Sequence, residues 1–218
     1  MGTRGCFGFL NDGVLKITYN HFDSYPAYLG CQMCEAVASI ADRVDEARSR
    51  VAEIVMVKAD STPTPEQIEA CEGYLNLGVA GHTDQDWYCL LREAQGQPLV
   101  WIDEGLNCMS DGSSFVNDSL FCEWGYIINL DDQTLEIYIG FQREEHNRGR
   151  FAGPIVEGYA PIALLATLSF GEIPRSKKDI NLFMGDFEKA YNESYDLECN
   201  GFESVEKFLA EWRETISA

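Results

Sequence analysis

The chain has 218 residues, 45% hydrophobic and 24% charged, which is apolar enough to bury a sizeable core and too apolar to stay disordered. Against 16 Lys and Arg stand 36 Asp and Glu, a formal net charge of -20 at pH 7. That surface repels nucleic acid and anionic membrane and draws basic partners, since opposite potentials steer encounter. No stretch reads as a linker, so one domain over residues 1–218 is expected.

The chain opens as a β-hairpin: Thr3 to Leu10 is rich in Phe and Gly, Asn11-Asp12-Gly13 signals a turn, and Val14 to Tyr19 alternates. Asn20 to Gly30 fits neither structural period and reads as a loop. From Gln32 to Val57 the apolar positions Val37, Ile40, Val44, Ala47, Val51 and Ile54 recur every three or four residues, predicting one long amphipathic helix. Thr64, Pro65 and Gln67 form a capping signature for a short helix from Pro65 to Leu75.

Asp86 to Ala94 mixes aromatic and aliphatic residues in a period that does not separate helix from strand; helix is the preferred reading. The clearest β signal is a second hairpin, Trp124 to Leu130 and Leu135 to Phe141, around Asp131-Asp132-Gln133-Thr134. Arg143 to Gly158 reads as a polar loop before a buried strand from Ile162 to Phe170, and two helices close the chain. In the last of them Val205, Phe208, Leu209 and Trp212 share one face, with Glu203, Glu206, Glu211 and Glu214 on the other. Strands, helices, strands and helices in that order predict an α+β fold, mainly antiparallel sheet covered by helices, rather than a doubly wound parallel sheet.

Eight cysteines without a basic, apolar leader point to a reducing, cytoplasmic setting, and the longest apolar run, Pro161 to Phe170, is too short to span a bilayer. Cys31-Gln32-Met33-Cys34 falls at a helix start, where the dipole can lower a thiol pKa. The other cysteines are scattered rather than paired at metal-ligand spacing, so buried thiols and no metal are expected. No Walker A, GxGxxG or GxSxG pattern occurs, and no cofactor is expected. His21 beside Asp23 and Tyr25 has the composition of a general base in a cleft, although a hydrogen-bonded loop histidine is the commoner outcome of that pattern. Arg143, His146, Arg148 and Arg150 form the one concentrated basic segment; with Tyr25 they make a candidate pocket for phosphate or carboxylate, or else balance nearby acids.

The N-terminal hairpin followed by Tyr19-Asn20-His21-Phe22-Asp23 resembles the start of N-terminal-nucleophile hydrolases of the acylase and bile-salt-hydrolase branch. That resemblance implies a sheet sandwich, a nucleophile at Thr3 whose free amine acts as base, and orientation by Asp23, with Asn20 standing where the family carries an arginine. Gly2 precedes Thr3, so amide hydrolysis would require processing to Thr3. A wider likeness, carried by Thr3-Arg4-Gly5, Thr18 to Pro26, Asp86 to Arg92 and Glu123-Trp124-Gly125-Tyr126, is to an uncharacterised family of tailed-phage and bacterial proteins. It implies a phage accessory role such as blocking a host defence protein. The leading expectation is a non-catalytic protein whose acidic surface binds a basic macromolecule, with a nucleic-acid-binding host protein as one candidate; the alternatives are an amidohydrolase and a small-ligand binder.

Overall fold

Both predicted hairpins form, and together they make most of the central sheet. In the computed structural model, which describes residues 2–79, 81–193 and 201–217, β1 (Gly5–Asn11) and β2 (Val14–Asn20) pair in antiparallel register around Asp12 and Gly13. Both turn residues have positive φ, 50° and 72°, the backbone that matches the twist of a two-residue hairpin. The second hairpin, β5 (Trp124–Asn129) with β6 (Thr134–Ile139), is locked by the Asn129 Oδ1, which accepts from the backbone N–H groups of Asp131 and Asp132. The two tips are tied to each other, because the Asp131 carboxylate accepts from the N–H groups of Asp12 and Gly13 at 2.8 and 2.9 Å.

With β7 (Ala163–Ser169) the strands form one sheet in the order β2-β1-β5-β6-β7, in which β1 and β5 run parallel and the other neighbours antiparallel. This is the expected α+β class with a mainly antiparallel sheet. Alternation assigns the two faces. Phe7, Phe9, Tyr126, Ile128, Leu135 and Ile137 face the larger core, against helices α1 (Cys31–Ile40), α6 (Lys177–Glu193) and α7 (Phe202–Ser217). Cys6, Leu10, Ile17, Ile127 and Tyr138 face a smaller core closed by Val116, Phe151 and Ile162 from irregular segments.

The single helix expected from Gln32 to Val57 is instead three elements: α1, α2 (Val44–Glu53) and a short strand β3 (Val55–Val57). The first break comes at Arg43, whose backbone leaves the helical region (φ -141°) while its guanidinium bonds back to the Ser39 carbonyl and across to Asp103. The second is imposed from β2: the Lys16 amine donates to the carbonyls of Val51, Ala52 and Ile54, supplying the cation that a helix C-terminus favours. The freed residues pair in parallel with β4 (Cys108–Ser110), a strand with no counterpart among the expected elements. Gly112 then brings the chain against β2, where a Cβ would lie 2.7 Å from the Tyr19 nitrogen. The described residues therefore hold one large sheet and this two-stranded pair, where a hydrolase-like sandwich would stack two sheets.

The capped helix is present as α3 (Pro65–Cys71), with both halves of the Thr64–Gln67 capping box formed. The Asp86 to Ala94 segment is helical only over α4 (Trp87–Leu90) and continues as turns to α5 (Leu99–Ile102). Among the described residues no helix is long and apolar enough to cross a membrane.

Candidate functional site

Where β2 ends, Asn20 fixes the chain's exit by donating from Nδ2 to the Phe22 carbonyl at 2.6 Å and to the Ser24 hydroxyl at 2.8 Å. This holds Phe22 outward, 53% exposed, at the edge of a cleft of about 610 Å³. The opposite walls come from Tyr28 in the turn that precedes α1, from Gln32 at the start of α1, and from residues 76–79 and 92–97. At the 92–97 turn Gly96 has φ 74°, a left-handed conformation that favours glycine, and a Cβ there would sit 3.5 Å from the Asn20 Oδ1.

Arg92 lies in this cleft, between two rings: its guanidinium carbon is 4.4 Å from the Phe22 ring centre and 4.9 Å from that of Tyr88. One N–H donates to the Gln95 Oε1 at 3.0 Å, and the same oxygen accepts the His21 backbone N–H at 3.0 Å. No carboxylate among the described residues forms an ion pair with Arg92. His21 packs edge-on against Tyr19, Phe22 and Tyr88, with its Nδ1 2.8 Å from the Tyr19 hydroxyl. Burial, then the charges of Arg92 and Arg4, lower its pKa below the ordinary histidine value. Tyr19 moves the other way: burial raises its phenol.

The residues proposed for catalysis are thus divided. Asn20 lines the cleft and His21 lies behind it, partnered by Tyr19. Thr3 lines a separate hollow of about 390 Å³ with Tyr25 and Glu188, and its carbonyl accepts the Ser24 N–H. Asp23 has φ 48° and accepts the Leu29 N–H through its carbonyl, and among the described residues no hydrogen bond joins its carboxylate to Thr3. The basic segment does not converge on Tyr25. Arg150 turns inward to the Glu136 carboxylate, bonding both oxygens, whereas Arg148 stacks 3.8 Å over Phe202 and pairs with Glu206 of α7. Arg143 is exposed.

Cys31 and Cys34 are buried, and the helix start does not activate them: burial first, then Glu35 and Glu188, push the Cys31 thiol up to about 11, and burial raises Cys34 further. The seven cysteines among the described residues are all buried thiols; Cys199 lies outside them.

The residue that sequence reasoning overlooked is Arg92. Its signal is charge spacing: between Lys58 and Arg143 it is the single Lys or Arg, among fifteen Asp and Glu. Compared with known proteins, the chain matches no family model, no curated protein and no solved structure.

Proposed function

We propose that this chain is a non-catalytic interaction protein whose acidic surface engages a basic macromolecular partner, as an accessory protein directed at a nucleic-acid-binding host protein would. The observation that carries the reading is how the cations are used. Lys16 is buried against the end of α2, Arg48 ties the two hairpin tips through Asp12 and Asp131, Arg150 is bound to Glu136 and Arg213 to Glu172. With these cations held by groups of the chain itself, the excess carboxylates are left at the surface. Glu66 and Glu69 are exposed along α3, with Glu72 just beyond its end, and Glu203, Glu211 and Glu214 are exposed along α7.

Fluorescence titration with a panel of basic nucleic-acid-binding proteins tests this, repeated from about 0.01 M to about 1 M salt, over which the Debye length falls from roughly 30 to roughly 3 Å. Binding that weakens steeply with salt and is displaced by DNA is expected. Affinity indifferent to salt, or no binding to any member of the panel, would overturn the proposal.

A further inference from the structure

We propose that the Arg92 cleft is a binding site for a small molecule carrying one anionic group, a phosphate monoester or a carboxylate, on a flat heterocycle. The inference goes beyond the surface reading and stands or falls separately from it.

An arginine stays charged at any pH a protein meets, and in a chain this acidic the ordinary outcome is an ion pair. Among the described residues Arg92 has none; the ring faces of Phe22 and Tyr88 and one amide oxygen hold it, leaving N–H groups of its fork without an acceptor from those residues. That is a cation fixed in position with its charge uncompensated, the state that favours a bidentate oxyanion. The number of charges is limited by the same surroundings. Glu93 also lines the cleft and the chain carries -20, so a polyphosphate is disfavoured where a single anionic group is not.

Two neighbouring amides have their orientation forced. Both bonds of Asn20 use its nitrogen, so its Oδ1 is left as an acceptor beside Gly96. Gln95 receives two N–H donors on its oxygen, so its NH₂ is left as a donor. An acceptor and a donor on adjacent walls complement the amide-like edge of a heterocycle. Phe22 and Tyr28, 53% and 51% exposed, offer flat apolar faces for its ring. The volume, about 610 Å³, lies in the range usual for small-ligand sites, roughly 300 to 1,000 Å³.

The test is isothermal titration calorimetry of the intact chain with the four common nucleoside 5′-monophosphates, the matching nucleosides, and the heteroaromatic carboxylates orotate and nicotinate. At least one anion is expected to bind, with a phosphate-only or carboxylate-only response identifying the source of the charge. Arg92→Met should weaken that binding by about tenfold or more, and removal of the anionic group from the ligand should do the same. Arg143→Met should leave it unchanged. Tyr28→Ala, at a half-exposed ring, should also weaken it and keeps the test open if the Arg92 variant does not fold. The proposal is overturned if no member of the panel binds, if nucleosides bind as tightly as their monophosphates, or if both variants bind like the parent.

Discussion

Arg150 and Arg92 are two arginines in the same acidic chain, and the fold satisfies them in opposite ways. Arg150 meets Glu136 on the loop-covered face of the sheet, where that carboxylate also accepts from the Tyr138 hydroxyl at 2.6 Å and from Asn129 at 2.9 Å. Arg92 meets two rings and an amide at the rim of an open cleft. A carboxylate placed on a buried strand must be neutralised, so the position of that cation is dictated by folding. Beside a cleft, water and ring quadrupoles make a lone guanidinium tolerable, so its charge remains available to a ligand.

The contrast breaks most sharply on stability. Arg150→Met strands the Glu136 charge and is expected to cost about 3 to 5 kcal/mol in urea unfolding, whereas Arg92→Met should cost no more than about 1 kcal/mol. Equal losses would erase the distinction between a structural and an available cation. The pH dependence sharpens it. Burial raises the Glu136 carboxyl, but hydrogen bonds from Arg150, Tyr138 and Asn129 outweigh that and hold it below the ordinary glutamate value. Its contribution is therefore complete above the unfolded pKa and lost as pH falls through the folded one. Without Arg150 burial prevails, the carboxyl moves above the ordinary value, and acidification should narrow the gap between variant and parent.

Lys16 shows a third way to hold a cation, against the carbonyls at the end of α2 with no carboxylate among the described residues paired to it, and Lys16→Met should cost about 2 kcal/mol, in the range for hydrogen bonds to charged groups. Hydrogen exchange should report the loss first in the last turn of α2. If α2 stayed as protected as in the parent, the boundary between α2 and β3 would have to be set by the Ile54 to Val57 sequence alone.

That boundary also marks where the sequence stopped being readable. The hairpins were legible because their determinants are local: Asp12-Gly13 supplies the turn and strict alternation fixes which side chains face each core. The helical period through Val51 and Ile54 was real, but what ends α2 is an amine thirty-five residues earlier. β3 and β4 pair over three residues each, too few for a period to show. The site behaved similarly. Arg143, Arg148 and Arg150 cluster in sequence yet separate in space, since Arg150 answers a buried glutamate and Arg148 a helix. Asn20 and His21 stand together in sequence, but their neighbour Arg92 comes from a segment more than seventy residues on.

The smallest expected effect is also the most direct probe of the Arg92 field. His21 has its pKa lowered by burial and then by Arg92 and Arg4, below the unfolded value near 6.5. Above that value the imidazole is neutral in both states and the contribution to stability is complete. As pH falls below it the unfolded chain takes up the proton first, so stability declines until the folded state titrates as well. Removing the Arg92 charge takes away one of the causes, so in Arg92→Met the His21 titration, followed by NMR of its ring, should shift upward and the stability slope just below pH 6.5 should flatten. An anion seated on Arg92 acts with the same sign, so ligand added to the parent should move His21 toward the variant's value. A His21 titration that ignores both changes would mean that Arg92 is screened from its neighbours and too weak a field to hold an anion.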